Sequence, residues 1–168
     1  ECTSCHDQHD NTNGSILVKS NDNAALCTSC HIKTGYTSSA HAVSNAVYTP
    51  AGAAATTVAE FSCRNCHKVH GASSAQAYIL REAEENTCYN CHGSPALLGA
   101  KSIKNLYAKA SKHPAEAVAG VHKNPELDAS NFGPGKRHAE CWDCHNPHRA
   151  RTGTHATPGN GIGEALLG

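Results

Sequence analysis

Apolar residues in this 168-residue chain come in short, separated patches. Ile16-Leu17-Val18 and Tyr78-Ile79-Leu80 each stand alone between polar stretches. Helical spacing occurs over residues 96–112, where Ala96, Leu97, Ala100, Ile103, Leu106, Tyr107 and Ala110 fall on one face, which predicts one amphipathic helix. His113-Pro114 would end it, because the residue before a proline avoids the helical region, and the helix would then deliver His113 to a site. Residues 32–60 are mostly Ala, Ser, Thr and Val, and predict a surface loop that carries His41. Residues 124–137, with Pro125, Gly133, Pro134 and Gly135, predict a second loop, and the glycine-rich tail after Thr152 predicts irregular chain. No run of 18 apolar residues occurs, so no transmembrane helix and no membrane insertion is expected.

Composition sharpens the problem that this pattern poses. Hydrophobic residues make up 39%, yet there are only 2 Phe, 1 Trp and no Met. A domain of this length ordinarily fills its core with Leu, Ile, Val and Phe, so apolar volume and cross-links must come from elsewhere. The 14 basic and 14 acidic residues cancel, which argues against a nucleic-acid partner. The chain opens on Glu1-Cys2, with no Met, and is expected to be a mature form whose targeting segment has been removed.

The unusual residues are 10 Cys and 13 His. Every cysteine lies in a C-x-x-C-H motif: Cys2/Cys5/His6, Cys27/Cys30/His31, Cys63/Cys66/His67, Cys88/Cys91/His92 and Cys141/Cys144/His145. This motif reads as covalent attachment of c-type haem. Two thiols a short turn apart form thioethers with the haem vinyl groups, and the next residue lies under the iron as proximal ligand. Zinc sites also use C-x-x-C pairs but do not need a histidine after each second cysteine, and a disulfide framework needs no histidine at all. The expected cofactors are five c-type haems.

Second axial ligands must come from histidine, since Met is absent. Eight histidines remain: His9, His41, His70, His113, His122, His138, His148 and His155. His9, His70, His148, His41, His113 and His138 are the candidates, with His122 and His155 as readily solvated surface residues. Five suffice for bis-His ligation throughout, and without Met ligation low reduction potentials are expected. His9, His70 and His148 each lie three residues after a proximal histidine. Three residues span at most about 10 Å, too little to pass around the macrocycle to its other face, so these side chains should reach a neighbouring haem.

The motifs repeat. Cys2-x-x-Cys5-His6-x-x-His9 is followed by Cys27 and Cys63-x-x-Cys66-His67-x-x-His70 by Cys88, at the same interval of 25 residues, with one apolar patch in each interval. This arrangement resembles the doubled C-x-x-C-H multihaem cytochromes over residues 2–31 and 63–92, and as a half module over 138–148. The resemblance implies closely packed bis-His haems and few regular elements. The expected organisation is a two-haem module at 1–35, a linker at 36–62, a second two-haem module at 63–95, a helix and loop at 96–137, and a single-haem half module with tail at 138–168. A further C-x-x-C-H would fall near residue 166, where the sequence reads Ala165-Leu166-Leu167-Gly168. His148 is therefore the candidate for ligating the haem of an identical subunit, head to tail, in a filament. Its alternative is an internal ligand in a monomeric shuttle.

The expected fold is haem-organised, mostly irregular coil with a few short α-helices and little or no β-sheet. The expected function is electron transfer outside the cytoplasm, in an extracellular filament or the periplasm, with other redox proteins or identical subunits as partners. A multihaem reductase is the enzymatic alternative; five ordinary motifs and a surplus of histidines favour a carrier that is not an enzyme. Asn13-Gly14-Ser15 also matches a glycosylation sequon.

Overall fold

The computed structural model describes residues 1–72, 77–97, 99–112 and 141–151. Regular structure there is sparse. The helices α1 (Ala25–Thr28), α2 (Ala40–Val43), α3 (Val58–Phe61) and α5 (Cys141–Cys144) are single turns, and α4 (Glu84–His92) has nine residues. Strands β1 (Val47–Tyr48) and β2 (Thr56–Thr57) pair antiparallel, Val47 with Thr57 and Tyr48 with Thr56. The protein is mostly irregular coil with a few short helices and this one small ribbon among the described residues.

Two compact units divide the chain. One holds Glu1–Asn65 and the segment from Asn146. In it α3 packs on the turn Asp22–Ala24 and on α2, and the turn Pro147–Arg149 packs on α2 and on Tyr36–Ser38. Ala24, Tyr36, Ala59 and Phe61 are its buried apolar residues. Helix α3 forms where it does because Thr57 and Glu60 make a capping box: Thr57 Oγ1 accepts from Glu60 N–H at 3.1 Å, and Glu60 Oε2 accepts from Thr57 N–H at 2.9 Å. The segment expected to be a plain loop, 36–62, thus contains α2, the ribbon and α3, with Ala51–Ala55 at the ribbon's tip.

The other unit is Cys66–His145. Its buried apolar residues are Leu80 and Tyr89, and Glu84, Glu85 and Thr87 of α4 are buried with them. Glu84 and Glu85 suit the first turn of α4, where carboxylates meet free N–H groups. The helix stops at Gly93, where a Cβ would lie 2.5 Å from the Tyr89 carbonyl oxygen, so only glycine fits.

The amphipathic helix expected over 96–112 does not form. Its place is taken by a 3₁₀ turn at Lys104–Ala108. Backbone groups a helix would use are committed elsewhere: Ile103 N–H donates to His92 O at 3.0 Å, and Lys101 O accepts from the His92 ring at 3.0 Å. Gly99, at φ +81°, turns the chain in the left-handed region. Bonds from Leu97 and Ile103 to Cys91 and His92 fold this segment back along the end of α4.

Candidate haem-attachment sites

In the first, second and fifth motifs a single tight turn brings the histidine N–H onto the first cysteine's carbonyl. The distance is 3.0 Å for His6 to Cys2, 2.9 Å for His31 to Cys27 and 2.9 Å for His145 to Cys141. Cys88, Cys91 and His92 lie within α4. One helical turn is the geometry that places two sulfurs and one imidazole on the same side of the chain.

The two doubled modules then share a device that composition does not reveal. Asp7 N–H donates to Ile16 O at 2.7 Å and Val18 N–H to Cys5 O at 3.0 Å; in the second module Lys68 N–H donates to Ile79 O at 2.8 Å and Arg81 N–H to Cys66 O at 2.9 Å. His6 is bridged to Leu17 and His67 to Leu80. In both, two residues before the bridge take left-handed conformations, Ser15 and Ile16 at φ 49° and 50°, Tyr78 and Ile79 at 54° and 52°. The apolar patches seen in the sequence are therefore clamps. They turn a carbonyl onto the histidine ring: His6 Nδ1 lies 3.0 Å from Ser15 O, and His67 Nδ1 lies 3.0 Å from Tyr78 O.

His92 Nδ1 meets Lys101 O at 3.0 Å in the same way. A carbonyl only accepts, so Nδ1 carries the proton and Nε2 keeps its lone pair. This is the arrangement that holds an imidazole ready to ligate a metal through Nε2. Among the spare histidines, His41 on α2 shows it too, with Nδ1 at 2.9 Å from Pro147 O. His148 sits on the turn Pro147–Arg149, its N–H held by Asn146 Oδ1 at 3.0 Å and its ring edge-on to Tyr36 at 6.2 Å. His9 and His70 are exposed beside their motifs. His113 and His138 lie outside the described residues, as do His122 and His155.

The cysteines gather by unit. Burial pushes the Cys27 thiol up to about 11, and Cys63 and then Cys5 add to it while Arg64 opposes. Burial likewise raises Cys91. In the other unit Cys88 Sγ, Cys141 Sγ and a Glu84 carboxylate oxygen lie within 4.8 Å of one another. That trio has the donor types of a zinc site, but both sulfurs belong to C-x-x-C-H motifs and no fourth donor joins them among the described residues. Cys2, Cys5, Cys27, Cys30, Cys63, Cys66, Cys88, Cys91 and Cys141 form no disulfide, as thioether attachment requires.

The surroundings fit haem. Ile32, directly after His31, is 91% exposed, and Val69, two residues after His67, is 62% exposed. Ile16, Val18, Tyr78, Ile79 and Leu97 are also exposed large apolar residues, and all lie near a C-x-x-C-H. An apolar macrocycle covering such side chains gains about 25 cal/mol per Å² buried. The sequon asparagine is engaged in this framework, since Asn13 Nδ2 donates to Leu17 O at 3.0 Å.

A family model described as the doubled CXXCH motif matches residues 1–35 and 56–97. No curated protein and no solved structure matches the chain. The matched segments contain four of the C-x-x-C-H motifs, both carbonyl clamps and α4. Repeated attachment motifs, ring orientation and the family match agree: residues 1–35 and 56–97 carry the doubled CXXCH motif of multihaem c-type cytochromes.

Proposed function

We propose that this protein binds five haems, one at each C-x-x-C-H, each with a second histidine on its iron, and carries electrons along them without being an enzyme. The observation that carries this reading is the shared orientation of His6, His67, His92 and His41, each with Nδ1 held by a backbone carbonyl, the tautomer that ligates a metal through Nε2. Bound haem supplies a one-electron iron couple; the protein supplies its position and surroundings. The cysteines would hold each ring by two thioethers, the histidine after each pair would ligate its iron, and the closeness of Cys88 and Cys141 would make their two rings neighbours. His41, fixed by Pro147 O, is the first-choice distal ligand in its unit, ahead of His9 and His148; His70, His113 and His138 are the candidates in the other. Five haems bring about ten propionate charges at neutral pH, which turns a neutral chain into an acidic holoprotein.

The test is ligand binding to the reduced protein. A low-spin spectrum with no carbon monoxide uptake supports a carrier with closed irons. One equivalent of carbon monoxide bound per chain would make it a reductase with an open iron.

For assembly we propose head-to-tail association of identical subunits outside the cytoplasm, where c-type haem is attached, with His148 ligating a neighbour's haem. The favouring observation is that His148 is presented on a turn fixed by Asn146 and Tyr36. Electron microscopy of the haem-loaded protein tests it. Long regular fibres support an extracellular conductive filament; small monodisperse particles at every concentration make the protein a diffusing periplasmic shuttle.

A further inference from the structure

Trp142, between the two cysteines of the fifth motif, is gripped from two sides. Its backbone N–H donates to Glu84 Oε1 at 2.7 Å, across 58 residues of sequence. Its ring meets Tyr78 edge-on, with centroids 5.1 Å apart and planes at 85°. Glu84 opens α4, the helix of the fourth motif, and is only 6% exposed. Tyr78 is the residue whose carbonyl holds the ring of His67, the third proximal histidine. Every contact lies within the unit Cys66–His145.

A carboxylate at 6% exposure is costly to bury unless its oxygens are used. Glu84 uses one of them to accept from the Trp142 N–H in the first turn of α5, a helix from a distant part of the chain. The result is visible beside it: Cys88 Sγ and Cys141 Sγ, the first anchors of the fourth and fifth motifs, lie within 4.8 Å of each other and of the same carboxylate. Two thioethers that close force their two rings to be neighbours.

We propose that Glu84 and Tyr78 are positioning residues that clasp Trp142 and thereby fix the fifth haem against the fourth. The inference rests on the reading that Cys88 and Cys141 each anchor a haem. It gives α4 two tasks, carrying its own attachment motif and docking the next one. Electron transfer between the last two haems then depends on side chains that touch neither iron.

The experiment compares haem-loaded variants by denaturing mass spectrometry and by the Soret circular-dichroism couplet, whose size depends on the separation and angle of neighbouring haems. Glu84→Gln keeps an oxygen for the Trp142 N–H and leaves the couplet as in the wild type. Glu84→Ala shrinks it with the haem count unchanged, and so does Tyr78→Leu, which keeps the His67 carbonyl bond and removes the ring. Tyr78 is 61% exposed, so this second variant folds even where Glu84→Ala loads haem poorly. A full-size couplet in Tyr78→Leu and in a fully loaded Glu84→Ala overturns the proposal. A wild-type protein without haem at Cys88 or Cys141 would overturn the five-haem reading instead.

Discussion

The two doubled modules begin alike and end differently. After Cys2-x-x-Cys5-His6 and after Cys63-x-x-Cys66-His67 the chain makes the same clamp, with paired left-handed residues and a carbonyl on the histidine ring. Before the second motif they part. In the first module Asn23 and Ala24 are left-handed and lead into the one-turn α1; in the second, α4 runs unbroken from Glu84 to His92. The histidine is followed in one case by Ile32, 91% exposed, and in the other by Gly93, pressed against Tyr89 O. The clamp that follows the first motif is common to both modules. The approach to the second motif is left free, and in the second module it is used to build a helix that carries other contacts.

The clamp is the shared part, so breaking what it serves should strike both modules equally and hardest. His6→Ala and His67→Ala should each convert one haem per chain from low to high spin and open it to carbon monoxide, to the same extent; unequal effects would mean that the two clamps do not do the same work. Next come the residues after the second motifs. Gly93→Ala should cost about 1–3 kcal/mol of stability, because its Cβ meets backbone rather than a movable side chain. Ile32→Ala should be much milder in the protein without haem, and thermal or denaturant melting distinguishes them.

Smaller effects probe the clamp's strain. Ile16→Gly and Ile79→Gly remove a left-handed penalty of about 1–2 kcal/mol and return part of it as chain entropy, so each should raise stability by about 0.5 kcal/mol, equally in both modules. The smallest concerns the capping box ahead of the third motif, which has no counterpart at the first, where Glu1 makes no side-chain cap. The Thr57 N–H, then the Thr57 and Thr56 hydroxyls, hold the Glu60 carboxyl below its ordinary pKa. A depressed carboxyl stabilises the fold above its ordinary range and stops doing so as pH falls through its lowered value. Wild type should therefore exceed Glu60→Gln in stability at neutral pH, and the difference should fade as pH falls through that lowered value, below the usual glutamate pKa of about 4.3.

What the sequence revealed, and what it hid, follows from the same division. Attachment was legible because thioether and iron bonds demand particular residues at fixed spacing, and Cys2 through His145 announce them. The clamp was half legible: Ile16-Leu17-Val18 and Tyr78-Ile79-Leu80 stand out as patches, but Ser15, Ile16, Tyr78 and Ile79 are not residues that signal left-handed backbone. Their conformation is imposed by bonds to Cys5, Asp7, Cys66 and Lys68 across the turn. The helix expected at 96–112 failed because its periodicity was real but its carbonyls were already taken, Lys101 O by His92. Glu84 gave no signal at all, since a glutamate at a helix start reads as an ordinary capping charge until Trp142 is seen to bond it.

The central claim is five covalent haems on five equivalent attachment motifs. Denaturing mass spectrometry of protein matured with haem tests it most directly, because thioether-bound haem survives unfolding. The account predicts one species at the chain mass plus five haems. A dominant species with four or fewer, or a bare chain with bound zinc lost on denaturation, would contradict it.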